Sequence, residues 1–225
     1  MIIIENLVVS YDKRQNIINS LNLVLSDNTI NGIVGLNGAG KTTLLNSIYG
    51  LKSIDRGTIK SNDKKVNKKE ISFLETENYF YSNITGREYL SLFKNLLFDP
   101  DKWNQLFLLP LDTIVDDYST GMKKKLAFMA ILLQKNDFFI LDEPFNGLDI
   151  QSNILIKEII LTLKQRNKTV IMSSHIFATL HDTCDEIHVL KEGSVYKSVM
   201  KSDFLELERE LKDFTIGNRI EKLNL

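Results

Sequence analysis

One cysteine, Cys184, stands among 225 residues. An internal disulfide framework is therefore impossible, and a reducing compartment fits. Proline is scarce, with three residues, and the eleven glycines are scattered, so no Pro/Gly-rich linker divides the chain. An excess of one charge is also missing. Twenty-eight Lys and Arg against 29 Asp and Glu leave a net charge of −1, which gives no electrostatic case for nucleic acid as a partner. Long apolar runs are lacking too. Phe138-Phe139-Ile140-Leu141 falls far short of the roughly 20 residues that cross a bilayer. The opening Met1-Ile2-Ile3-Ile4-Glu5 has neither the basic nor the long apolar region of a signal peptide. Work at a membrane requires another chain to do the spanning.

At 43% hydrophobic and 25% charged, the chain can bury a substantial core, and it reads as one domain over 1–225 with an inserted subdomain. Alternation of apolar and polar residues predicts strands at 2–9 and 17–25, and 29–34 forms a third strand. Helical spacing follows over 42–49 and stops at Gly50. A block of helical patterns at 85–97, 101–109 and 120–134 interrupts the β-containing halves, so a helical insertion is expected at about 75–135. Short apolar runs at 137–141 and 169–172 flank a helix over 150–165. That alternation argues for a parallel sheet buried on both faces. A closing hairpin is expected from 187–190 and 194–199 around Glu192-Gly193, with a charged helix at about 201–213. Two lysine clusters, Lys64, Lys65, Lys68 and Lys69, and then Lys123-Lys124-Lys125, read as solvated turn and helix faces.

Residues 35–42, Gly35-Leu36-Asn37-Gly38-Ala39-Gly40-Lys41-Thr42, form a complete GxxxxGK[ST] phosphate loop between a predicted strand and helix. Its glycines let backbone N–H groups turn onto phosphates, and the helix adds its positive end. Lys41 brings a point charge to the β/γ oxygens, the Thr42 hydroxyl suits Mg²⁺, and Thr43 reaches the α-phosphate. Asp142 and Glu143 end the apolar run beginning at Asp137. Asp142 is placed to hold Mg²⁺ through water, and Glu143 to orient or deprotonate an attacking water. His175 follows the apolar stretch Met172-Ser173-Ser174, at the C-terminal end of a parallel strand, where ligands bind. His181 and His188 have no such placement.

Between these motifs lies Tyr118-Ser119-Thr120-Gly121-Met122, and after them Asn146-Gly147-Leu148-Asp149. In this order the set resembles the ATP-binding subunits of ABC transporters, in its exporter-type branch. The likeness covers nearly the whole chain, from Ile2 to about Val199. It implies a phosphate-loop NTPase (RecA-like) α/β core, an N-terminal antiparallel β subdomain and an inserted helical subdomain. It further implies ATP and Mg²⁺ as cofactors and a homodimer in which Ser119, Thr120 and Gly121 contact the ATP held by the other subunit. Asp149 takes the D-loop position, His175 the switch histidine, and Tyr11 the aromatic that stacks adenine. Thr120 and Met122 depart from the commonest signature, LSGGQ.

One motif is degraded. The glutamine of the Q-loop is replaced by Thr76, which is too short to copy its reach; Glu75 and Glu77 stand as substitutes. The activity implied is ATP hydrolysis powering export of an unidentified substrate through a separately encoded integral membrane permease. The chain itself would then be cytoplasmic, peripheral on the inner face of the cell membrane. A soluble ABC-type ATPase uncoupled from transport would share every motif.

Overall fold

The computed structural model describes residues 1–11, 15–62, 64–93 and 99–215. Strand β1 (Ile2–Ser10) pairs antiparallel with β2 (Asn16–Leu25) and with β4 (Arg56–Ser61), and the two-residue β5 (Lys64–Lys65) completes a sheet ordered β2-β1-β4-β5. The alternation in β1 changes phase in the middle. Ile2 and Ile4 are buried, then Leu7 and Val9. A register shift between Glu5 and Val8, with Asn6 at φ 48°, returns the apolar side chains to the same face. Gly57 faces this bulge, where a Cβ would stand 2.5 Å from the carbonyl oxygens of Glu5 and Asn6.

The second sheet is ordered β10-β9-β3-β8-β7-β6. β3 (Ile30–Val34), buried at every residue, pairs in parallel with β8 (Thr169–Ser174) and β9 (Glu186–Lys191). β7 (Phe138–Leu141) joins β8 to β6 (Ile71–Leu74), also in parallel. β10 (Ser194–Met200) closes the edge as an antiparallel hairpin on β9, turning at Glu192 and Gly193, both at positive φ. Alternate side chains of the central strands enter two cores. Ile33, Ile140 and Ile171 join helix α1 (Lys41–Tyr49) and the N-terminal sheet. Val34, Leu141 and Met172 face the helical side. Burial on both faces is why these strands read as continuous apolar runs.

Helices α2 (Gly86–Ser91), α3 (Pro100–Phe107) and α4 (Thr120–Leu133) lie between β6 and β7. Thr85 and Glu88 form a reciprocal capping box on α2, and Asp99 with Pro100 starts α3. The helix predicted over 85–97 is shorter in the structure: α2 ends at Ser91 in a turn, and 94–98 lie outside the described residues. The pattern over 101–109 overshoots because Leu108 takes a left-handed conformation that ends α3. Helix α5 (Ile150–Gln165) joins β7 to β8, as expected. The short α6 (Phe177–His181) and strands β4 and β6 had no predicted counterpart. α7 (Phe204–Thr215) seats Phe204 and Leu207 in the core. Among the described residues no helix is long and apolar enough to cross a membrane.

Candidate functional site

The loop between β3 and α1 has little freedom at its ends. A Cβ on Gly35 would lie 2.5 Å from the Leu190 carbonyl oxygen. Gly38 and Gly40 take φ of 83° and 102°, and Gly40 caps α1 with no side-chain bond to its N–H groups. The first turn of α1 therefore presents backbone donors and the positive end of its dipole to the loop. Leu36 and Asn37 are exposed, whereas Ala39 is buried. Lys41 is buried, and its Nζ donates to the carbonyls of Gly35 at 2.8 Å and Leu36 at 3.4 Å. The same ammonium stands 4.0 Å from Glu143 Oε1.

Asp142 follows β7 and is 1% exposed. Three hydroxyls converge on its carboxylate: Thr42 at 2.8 Å and Thr76 at 2.7 Å on Oδ2, and Ser173 at 2.5 Å on Oδ1. Thr76, at the Q-loop position, thus meets Asp142 directly. Glu75, one of the suggested substitutes, has its pKa raised by burial first and by the Asp142 charge second. Glu143 adopts φ 50°. That turn points its carboxylate at His175, whose Nδ1 lies 2.9 Å from Oε2. The adjoining Thr42 hydroxyl and Asp142 carboxylate are hard oxygen donors of the kind Mg²⁺ takes. Among the described residues no group of three or more His, Cys, Asp or Glu could hold a metal. A Mg²⁺ here would therefore complete its shell with water and phosphate oxygens, the usual arrangement for this ion.

Tyr11 is exposed; its hydroxyl is 3.4 Å from Thr43 Oγ1, and Lys52 Nζ sits 3.9 Å from its ring centroid. One ring face is thus engaged by a cation. Ser119, Thr120 and Gly121 stand apart from this cluster. Ser119 caps α4, its Oγ accepting the Met122 N–H, and Ser119 and Thr120 are exposed. Gly121 packs against the turn after Glu143, where a Cβ would come within 3.2 Å of the Gly147 carbonyl oxygen. Asp149 caps α5 by accepting the N–H and Oγ–H of Ser152, bonds that lower its pKa. Among the described residues no hydrogen bond joins Ser119, Thr120, Gly121 or Asp149 to the phosphate loop, Asp142, Glu143 or His175.

Two participants escaped the sequence reading. Ser173 lies inside an apolar strand, where nothing in the pattern marks its hydroxyl. Lys124 lies in the lysine cluster read as solvated, yet it is buried, and its Nζ donates to the Glu143 carbonyl at 2.7 Å. The other two also reach main-chain carbonyls: Lys123 that of Asp116 at 3.3 Å, and Lys125 that of Phe107 at 2.7 Å. The available signal was spacing, since Lys124 falls four residues before the buried Phe128 and seven before Ile131, on one helix face.

A family model described as "ABC transporter" matches residues 18–146. The bacitracin transport ATP-binding protein BcrA of Enterococcus faecalis is 31% identical over 229 residues, spanning 95% of this chain and 74% of that protein. A solved ATP-binding subunit of an ABC transporter superposes with TM-score 0.79 at 24% identity, covering 94% of each chain. The dimeric structure of a post-hydrolysis ATP-binding cassette bound to ADP and Pi gives 0.79 at 19% identity over 89% of this chain and 99% of the other. The mixed α/β architecture described above is thus that of the phosphate-loop ATP-binding cassettes. On the family match and the likeness to BcrA, this chain belongs to the ABC transporter family as an ATP-binding domain.

Proposed function

We propose that this chain binds and hydrolyses ATP as the motor subunit of an exporter whose membrane-spanning part is a separate permease. The observation that carries the reading is the convergence of Lys41, Thr42, Asp142, Glu143 and His175 beside the N-terminus of α1. In this reading the loop 35–42 cradles the phosphates with backbone N–H groups, Lys41 shifts from the Gly35 carbonyl to the β/γ oxygens, and Thr43 reaches the α-phosphate. Tyr11 lies against the adenine. Thr42 and Asp142 hold Mg²⁺, which when bound neutralises charge developing on the phosphate oxygens. Thr76, already on Asp142, senses the same ion. Glu143 takes the proton of the attacking water, and His175 holds both that carboxylate and the γ-phosphate.

The exposed start of α4 finds its use in a second copy. Ser119, Thr120 and Gly121 of one subunit close over the ATP held by the phosphate loop of the other, with Asp149 crossing the interface. One cassette domain over 1–225 contains the helical insertion at about 75–135, which meets the permease. The chain then sits on the inner face of the membrane. BcrA is named for bacitracin transport, and its likeness to this chain favours a transport role over a free-standing ATPase; the exporter-type signature supports the direction.

The test is Glu143→Gln. Removing a general base typically costs about 10²–10⁴-fold in turnover. The variant should bind MgATP, nearly cease hydrolysis, and shift from monomer to dimer on size-exclusion chromatography with MgATP. Turnover near that of the unaltered chain would remove Glu143 from the role.

A further inference from the structure

Glu143 holds a backbone conformation that non-glycine residues rarely adopt, φ 50°. That conformation swings its carboxylate toward Lys41 and His175. Both polar groups of its own main chain are tied. The Glu143 N–H donates to Ser173 Oγ at 3.0 Å, and its carbonyl accepts from Lys124 Nζ at 2.7 Å and, more weakly, from the Asn146 N–H at 3.2 Å. Ser173 Oγ in turn donates to Asp142 Oδ1 at 2.5 Å. Lys124 is 5% exposed, an unusual place for an ammonium, which is costly to bury without acceptors. Burial pushes its pKa down, while the carboxylates of Asp142 and Glu143 pull it up. A second, longer contact at 3.5 Å reaches the Thr76 carbonyl. The same side chain rises from α4, which begins with Thr120 and Gly121 behind the Ser119 cap.

We propose that Lys124 is a positioning residue: with Ser173 it clamps the main chain of Glu143 in its left-handed turn, so that the carboxylate stands ready for the attacking water. The inference rests on the reading of Glu143 as the base. Lys124 Nζ acts on main-chain carbonyls, those of Glu143 and Thr76. Its ammonium joins three pieces of the chain at one point: the Thr76 segment, the tip of β7 and helix α4. A tilt of α4 on dimer closure therefore bears on the orientation of Glu143 through this side chain. A solvated or merely space-filling lysine would leave the Glu143 carbonyl indifferent to its replacement.

The test compares Lys124→Met, Lys124→Leu and Lys124→Gln in the full-length chain, with steady-state MgATP hydrolysis as the readout. Methionine and leucine fill the volume and remove the donor; glutamine keeps N–H donors without the charge. A displaced catalytic group costs about 10- to 100-fold, so kcat should fall by that much in the Met and Leu variants. KM for MgATP should stay within about twofold, because the phosphate loop is untouched. Lys124→Gln should recover much of the loss. Adding Lys124→Met to Glu143→Gln should cost nothing further, since there is no base left to aim. A Met or Leu variant with unaltered kcat, a KM that rises in step with the loss, or a Gln variant no better than Met would overturn the clamp. The outcomes separate: full activity in Glu143→Gln alone defeats the reading of the base, whereas an inactive Glu143→Gln beside a fully active Lys124→Met defeats only this inference.

Discussion

Asp142 shows how single residues define this site. Its carboxylate is buried, and three hydroxyls, from Thr42, Thr76 and Ser173, satisfy it. The phosphate-loop threonine and the aspartate were readable in the sequence because their motifs fix both spacing and context. Thr76 was placed only by its position in a degraded motif; its bond to Asp142 at 2.7 Å depends on the path of the chain after β6, which the sequence does not print. Another residue makes a prediction about pH. His188 on β9 is buried, with Nδ1 on Ser198 Oγ at 2.8 Å, and burial lowers its pKa from 6.5 to about 4. The unfolded chain therefore binds the proton more readily in that window. Stability from this residue is present above pH 6.5 and lost as pH falls toward 4, by up to roughly 3 kcal/mol. Urea unfolding across that range should show a smaller acid loss in His188→Gln than in the unaltered chain. Parallel pH curves would mean that His188 is not kept neutral by the fold.

At the scale of elements, helix α4 does the most. It starts at the exposed Ser119 cap, carries Lys124 to the Glu143 carbonyl and buries Leu126 to Leu133 in the core shared with β7 and β8. Phe128 is fully buried there. Phe128→Ala should cost about 3–5 kcal/mol in unfolding free energy, with the loss seen as an earlier denaturant midpoint. A change below about 1 kcal/mol would show that the core closes around the gap. The long elements were legible because their periodicity is strong: α1, α4, α5 and the central strands all lie close to where the pattern put them. Those that escaped have physical reasons to do so. β4, Arg56–Ser61, has only exposed or half-buried residues, so it lacks an apolar run. α6 spans five residues with no side-chain cap. Lys124 was hidden by its neighbours, since three lysines in a row look solvated until the helix face is known.

For the whole molecule, the cluster of Lys41, Asp142, Glu143 and His175 lies at one end of the parallel sheet, and among the described residues no hydrogen bond joins it to Ser119, Thr120 or Gly121 at the start of α4. In the function proposed above, two copies each complete the other's ATP site, and Ser119→Arg tests that most directly. Arginine on this exposed cap leaves the core and the chain's own phosphate loop alone, so ATP should still bind each monomer. In the proposed dimer its bulk and charge would enter the γ-phosphate pocket of the facing subunit, and hydrolysis should disappear. Mixing this variant with Lys41→Ala gathers both defects in one composite site and leaves the other whole, so some hydrolysis should return. Normal hydrolysis by Ser119→Arg alone would contradict the account.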